Sequence, residues 1–125
     1  MQCPCQSDKN YDECCEPYHL GQQYAATAEI LMRSRYSAYA LQKVNYLHRS
    51  WSTQTRPTKQ SLKKAEPVTW LGLEIIRTEK GGPLDGEGIV EFVARYQAGA
   101  ESAQLHETSR FRRENDRWVY VDGDY

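Results

Sequence analysis

The sequence predicts an α+β domain in which helices pack on one face of an antiparallel sheet, preceded by a short cysteine-rich segment. Three observations predict this arrangement. Helical periodicity runs through the first half of the 125 residues, strand-like segments separated by turn residues fill the second half, and all four cysteines lie within the first fifteen positions. Helices first and strands later are typical of an α+β fold with the helices on one side of the sheet.

Three helices are expected before the sheet. Residues 25–43 lack Gly and Pro and repeat apolar or small side chains at helical spacing, so they predict one long helix with Thr27 as its N-cap. A second, short helix is expected over residues 46–51. A third, polar helix is expected over residues 58–65, and Pro67 would end it.

The second half predicts four strands, over residues 68–77, 89–96, 104–113 and 118–122, and the three that short turns join are expected to form an antiparallel meander. Alternation in the third strand places Glu107 and Ser109 on the same face as Leu105 and Phe111, which we expect to be the buried face. By the same rule Asp122 shares a face with Trp118 and Tyr120 in the last strand.

A buried Glu107 would be costly unless it is paired or protonated, and Arg33 or Arg35 on the long helix is a natural partner. Two interpretations stay open. In the one that we favour, Glu107 and an arginine form a buried structural pair. In the other, a set of polar residues lines a ligand pocket, namely Arg33, Arg35, Tyr36, Glu107, Ser109 and Asp122. The three tryptophans are expected in the core, whereas His48 and His106, which have no visible partner, are expected to be exposed.

The cysteines follow the spacing C-x-C, eight residues, then C-C, and they are Cys3, Cys5, Cys14 and Cys15. Adjacent cysteines, and cysteines one residue apart, rarely form a disulfide with each other without strain. Disulfides between the two groups are possible, but a reducing compartment argues against them. Four thiolates at the ends of a short turn-rich loop suit tetrahedral Zn²⁺, and they would leave no open coordination position. The spacing therefore predicts a closed, structural zinc site.

Three alternatives to zinc stay open for these cysteines. An iron–sulfur cluster, a copper(I) site and a reduced, metal-free cluster would each use the same side chains. His19 could replace Cys14 or Cys15 as the fourth ligand, although a packing or surface role is the simpler expectation for it.

Composition limits the function classes. The formal net charge is −1, and Lys and Arg are spread along the chain, which disfavours a nucleic-acid binder because phosphate contacts need a basic excess. No segment approaches the roughly 20 apolar residues that a membrane span needs. The N-terminus has neither the basic nor the apolar region of a secretory signal, so a cytoplasmic location with reduced thiols is expected.

The run Cys3-Pro4-Cys5-Gln6-Ser7, followed by Tyr11 and Cys14-Cys15, resembles the SEC-C motif, which binds zinc and docks an export chaperone in the preprotein-translocase motor. The usual motif has Gly where this chain has Gln6. The resemblance thus implies Zn²⁺ at the cysteines and a protein partner for the N-terminal segment.

Further blocks resemble the YchJ-like family of small bacterial proteins: 17–19, 31–39, 70–73, 90–96, 107–111 and 118–123. This resemblance implies a nuclear-transport-factor-2-like (NTF2-like) domain, a cone of helices closed by a curved sheet. We expect a zinc knuckle over residues 1–20 and the NTF2-like domain over residues 21–125. Many members repeat the cysteine motif at the C-terminus, which is absent here, so a single zinc site is expected.

Three functions are considered, in order of preference. The first is an adaptor that binds a protein through the knuckle, or a small molecule in the cone. The second is a small enzyme that uses a carboxylate-lined pocket, although no nucleophile–base pair has a recognisable spacing. The third is nucleic-acid binding through the knuckle. A homodimer formed through the outer face of the sheet is also considered.

Overall fold

The computed structural model describes residues 1–64 and 68–125. A 3-10 turn, Tyr11–Glu13, is followed by four helices: α1, Glu16–His19; α2, Ala28–Ala40; α3, Val44–Arg49; and α4, Lys59–Lys63. Four strands complete the chain: β1, Thr69–Lys80; β2, Glu87–Ala98; β3, Glu101–Glu114; and β4, Arg117–Asp124. The predicted α+β class is confirmed.

The sheet is an antiparallel meander with the strand order β1-β2-β3-β4, so the predicted three-strand meander is confirmed and β1 adds a fourth strand to it. Strands β2 and β3 pair without interruption from Glu87–Arg112 to Ala98–Glu101, and this hairpin forms the centre of the sheet. Register shifts interrupt the pairing of β1 with β2 and of β3 with β4. Bulges of this kind increase the local twist and curvature of a sheet. Strands β2, β3 and β4 extend beyond both predicted ends, and β1 extends beyond its predicted C-terminal end, because the pairing continues into the turn-rich flanks.

Helix α2 lies in the middle of the predicted segment and is shorter than it. The Thr27 side chain accepts a hydrogen bond from the Ile30 amide at 3.1 Å, so the predicted N-cap is confirmed. The helix ends because Gln42 adopts a φ of +59°, which no helix can continue through. For α4, Thr58 is the cap, whereas the predicted end at Ala65 and Pro67 lies outside the described residues.

The main core joins α2, the sheet and the N-terminal segment into one cluster. Leu31, Met32 and Tyr36 of α2 pack against the inner face of the sheet, where Phe92 and Phe111 are buried. Three of the cysteines belong to the same cluster. The knuckle, residues 1–20, is therefore packed into the core and is not a loosely attached appendage.

Of the three tryptophans that were expected in the core, Trp118 is buried, and its indole Nε1 donates to the Ala26 carbonyl at 3.1 Å. Trp51 and Trp70 are only half-buried, so for them the prediction was too strong. In the described part of the chain, no helix has both the length and the apolar character needed to cross a membrane.

Candidate functional site

The knuckle brings the cysteines together through a tightly closed loop. An isolated bridge pairs Gln2 with Asn10, and the Cys3 amide donates to the Lys9 carbonyl at 2.8 Å. Between these points Gln6 and Asp8 have φ values of +65° and +68°, so the chain reverses within a few residues. The 3-10 turn and the start of α1 then return the second cysteine pair to the first.

The four sulfur atoms form a compact group. All four Sγ atoms, of Cys3, Cys5, Cys14 and Cys15, lie within 4.8 Å of one another. The Cys5–Cys14 distance is 3.6 Å and the Cys14–Cys15 distance is 3.9 Å. Four sulfurs about 2.3 Å from one zinc ion would be about 3.8 Å apart in a tetrahedron. No cysteine is disulfide-bonded, so the cluster fits a metal that prefers thiolates.

Two serine hydroxyls contact three of the four sulfur atoms. The Ser7 Oγ lies 3.1 Å from Cys14 Sγ, and the Ser37 Oγ, on α2, donates to Cys15 Sγ at 3.2 Å and lies 3.4 Å from Cys3 Sγ. Donors of this kind stabilise thiolate charge and orient metal ligands. Arg33 adds a further link, because its Nη1 donates to the Cys5 carbonyl at 2.9 Å.

The four thiols lie close enough to shift one another's pKa values. Hydrogen bonding from Cys15, with smaller contributions from Ser7, Cys3 and Cys14, lowers the pKa of Cys5 to about 4. The same bond with Cys5, together with burial, raises the pKa of Cys15, and burial raises that of Cys14. Negative charge therefore concentrates on one thiol of the group. A bound dication would favour the thiolate form of all four.

His19 is engaged elsewhere. Its Nδ1 lies 2.6 Å from the Tyr11 hydroxyl, and its Nε2 donates to the Ser34 carbonyl at 2.7 Å. The Ser34 contact makes Nδ1 the acceptor for the Tyr11 hydroxyl. Burial lowers the pKa of His19, which favours this neutral tautomer. Both ring nitrogens are thus used in packing the knuckle onto α2, and neither is directed at the sulfurs.

Glu107 is buried as expected, but the predicted pairing with an arginine is wrong. Its Oε2 accepts hydrogen bonds from Ser109 Oγ and from the Tyr120 hydroxyl, both at 2.7 Å. Burial and the bond to Glu107 raise the pKa of Tyr120, so this phenol remains a donor. Gly123 faces the carboxylate so closely that a Cβ there would clash with Oε2 of Glu107.

Arg33 and Arg35 point to opposite sides of α2, because residues two apart in a helix are separated by about 200°. Arg33 pairs with Glu29 at 3.1 Å and faces the knuckle. Arg35 is buried, donates to the Leu47 carbonyl and to Ser50, and stacks over the rings of Trp51 and Tyr120. Neither forms an ion pair with Glu107 among the described side chains.

Asp122 does not join the predicted pocket residues. Phe111 pairs with Tyr120 while the preceding residue, Arg110, pairs with Asp122, so Val121 is an extra residue in β4. This bulge reverses the alternation and turns Asp122 to the outer face, where Arg110 donates to it. His106 also lies on the outer face and is exposed as expected, but its Nε2 lies 2.7 Å from Glu91, a partner that alternation along one strand could not reveal.

Two of the predicted pocket residues remain: Tyr36 and Ser109 are both buried, with the Tyr36 ring edge-on to Trp70. A cavity of about 1000 Å³ does open on the inner face, but none of the six predicted residues lines it. Its aromatic lining includes Tyr39, Tyr46, Trp70 and Tyr96. The sequence signal that could have located this cavity was the pair of aromatic residues Trp70, near the start of β1, and Tyr96, near the end of β2.

Comparison with known proteins agrees with this geometry. A family model described as the YchJ middle NTF2-like domain matches residues 27–123, and a SEC-C motif model matches residues 2–17. This chain belongs to the YchJ-like family. A UPF0225 protein of Ralstonia nicotianae is 47% identical over 132 residues, which cover 98% of this chain and 90% of that protein. A UPF0225 protein of Chromobacterium violaceum is 49% identical over 124 residues, covering 97% and 90%.

Two solved structures extend the agreement to the fold. The solution structure of a SEC-C motif containing protein from Rhodopseudomonas palustris has a TM-score of 0.87 and 34% identity, covering 99% of this chain and 98% of that one. The crystal structure of a SEC-C motif containing protein from Psychrobacter arcticus has a TM-score of 0.82 and 29% identity, covering 96% and 80%. At the position where the usual SEC-C motif has glycine, Gln6 of this YchJ-like chain adopts the left-handed conformation that glycine favours.

Proposed function

We propose that this YchJ-like protein is an adaptor whose knuckle holds one structural Zn²⁺ through Cys3, Cys5, Cys14 and Cys15. The observation that carries the proposal is the group of four sulfurs within 4.8 Å, with serine hydroxyls against three of them. Four protein ligands leave no position for a substrate or water, which is typical of structural and not catalytic zinc. The thiols need a reducing compartment such as the cytoplasm.

Native mass spectrometry tests the metal. Protein that is produced with zinc available should carry one Zn²⁺ per chain, and it should lose the ion with chelator and in the variant Cys5→Ser/Cys14→Ser. Iron or copper in place of zinc would reject the zinc assignment. Metal-free protein with four reduced thiols would reject the site altogether.

The adaptor role rests on the outer surface of the knuckle. This surface exposes Asp8, Asp12 and Glu13 with Lys9 as its basic residue, and neither Asp12 nor Glu13 belongs to an ion pair of residues 1–64 and 68–125. An acidic surface on a rigid, metal-held loop would suit a protein partner with a basic face, since charge complementarity steers association. The cysteines themselves face the core, so docking would use these charged side chains.

Affinity capture with the zinc-loaded protein tests docking. The variant Asp12→Lys/Glu13→Lys should lose a partner that the wild type retains at low salt. Glu101→Lys, at an exposed position at the start of β3, is the matched control and should retain it. If the knuckle variant and the wild type capture identical proteins, the knuckle is not the docking surface.

A further inference from the structure

The cavity lies between the inner face of the sheet and the helical layer formed by the end of α2, α3 and α4. Tyr39 near the end of α2, Lys43 before α3 and Lys63 at the end of α4 contribute from the helical layer. Trp70 of β1 and Tyr96 of β2 contribute from the sheet. Its volume, about 1000 Å³, is sufficient for a drug-sized molecule.

Aromatic rings form a continuous row on the cavity wall. The Tyr39 and Trp70 ring centroids are 6.2 Å apart, and those of Trp70 and Tyr96 are 5.4 Å apart. Leu105 of β3 lies beside the row, and all four side chains are at least partly exposed despite their size. A concave row of accessible rings is a suitable surface for the apolar or planar body of a ligand.

The charged side chains that line the cavity are all basic, although the formal net charge of the whole chain is only −1. Lys43, Arg49 and Lys63 line the cavity, while no acidic side chain of the described segments does so. Arg49 is already bonded to two backbone carbonyls and stacks on Tyr46. Lys43 and Lys63 take part in none of the ion pairs among residues 1–64 and 68–125. Two ammonium groups outside those ion pairs, beside an aromatic row, favour an anionic group on the ligand.

We propose that this cavity is a binding site for a small organic anion with an aromatic body. The body lies against Tyr39, Trp70 and Tyr96, and the carboxylate or sulfonate group is held by Lys43 and Lys63. The site does not share residues with the zinc centre or with the acidic face of the knuckle. It is therefore tested separately from the proposed adaptor function.

The tryptophan indoles allow a direct test on the wild-type, zinc-loaded chain. We expect 8-anilinonaphthalene-1-sulfonate to bind with 1:1 stoichiometry and to shift the Trp70 indole N–H signal in a ¹H–¹⁵N NMR titration. The Trp118 indole, which is bonded to the Ala26 carbonyl, should hardly move. Absence of binding to the folded protein, or equal shifts of both indoles, would overturn the proposal.

Lysine variants test the charge requirement. Lys43→Gln/Lys63→Gln should weaken binding of the sulfonate about tenfold at low salt, because two favourable charge contacts are lost. Binding of the uncharged analogue N-phenyl-1-naphthylamine should change less than about twofold. Lys59→Gln, on α4 but outside the lining, is the matched control. A double variant that binds the sulfonate as well as the Lys59→Gln control would show that Lys43 and Lys63 do not hold the anion.

Discussion

Two buried polar clusters stabilise this domain in different ways. The four thiols of the knuckle are chemically alike, and lowering the pKa of Cys5 is accompanied by a rise in the pKa of Cys15. At Glu107, by contrast, one carboxylate accepts hydrogen bonds from the hydroxyls of Ser109 and Tyr120. Four thiolates close together would repel one another unless a cation neutralised them, whereas a single carboxylate that is matched with donors needs no added ion.

Helix α2 connects the two clusters. Ser37 faces the thiols, whereas Arg35 stacks over the Tyr120 ring whose hydroxyl bonds Glu107. Because Cys3, Cys5 and Cys15 belong to the main core, loss of metal should affect the whole domain and not the knuckle alone.

The largest expected effect comes from breaking the thiol cluster. Cys15→Ser, or chelation of the wild type, should lower the free energy of unfolding by more than about 3 kcal/mol, since metal binding contributes folding free energy. Thermal unfolding followed by circular dichroism measures this change. Added zinc should restore the chelated wild type but not the variant. If the wild type unfolds at the same temperature after its metal is demonstrably gone, the metal does not stabilise the core.

The Glu107 cluster should be less sensitive. Tyr120→Phe removes one hydrogen bond to a buried carboxylate and should cost about 1.5–3 kcal/mol in urea unfolding. Tyr96→Phe is the matched control and should change the stability by less than about 0.5 kcal/mol, because that side chain is half-buried at the cavity. Equal costs for the two variants would mean that the bond to Glu107 is not what stabilises the cluster.

Relief of backbone strain in the knuckle should produce a smaller gain. Gln6→Gly should raise the free energy of unfolding of the zinc-loaded protein by about 0.5–1 kcal/mol, because Gln6 has a φ of +65°. Asp8→Gly, at a φ of +68°, should gain less, since aspartate tolerates this conformation better. A destabilised Gln6→Gly variant would mean that the Gln6 contact with the Leu71 carbonyl outweighs the strain.

The smallest effect concerns the exposed outer face of the sheet. Hydrogen bonds from His106 and Arg77 lower the pKa of Glu91. The pKa of Glu91 is lower in the folded than in the unfolded state. The ionised carboxylate therefore stabilises the fold at pH values above the unfolded-state pKa, and this stabilisation is lost as the pH falls through the folded-state pKa. A ¹³C NMR titration should show the Glu91 pKa rising in His106→Gln. An unchanged pKa would show that His106 contributes nothing there.

Much of the fold was predictable because its signals are local. The Thr27 cap, the α2 periodicity and the turn residues between strands each depend on neighbours along the chain, and the structure follows them. The cysteine spacing likewise predicted a cluster, because C-x-C and C-C restrict where the thiols can lie. The bonds of Glu107 to Tyr120 and of His106 to Glu91 were not predictable, since they depend on the register of neighbouring strands.

Residue type and spacing along the chain were enough to establish the α+β class, the family and the four cysteines of the candidate metal centre. The outward direction of Asp122 depends instead on strand pairing, because one bulged residue in β4 reverses every later side chain. Packing of distant elements likewise puts the cavity beside Tyr39, Trp70 and Tyr96 and not at Glu107. A cavity exists only where such elements fail to fill the space between them, and no local pattern encodes that space.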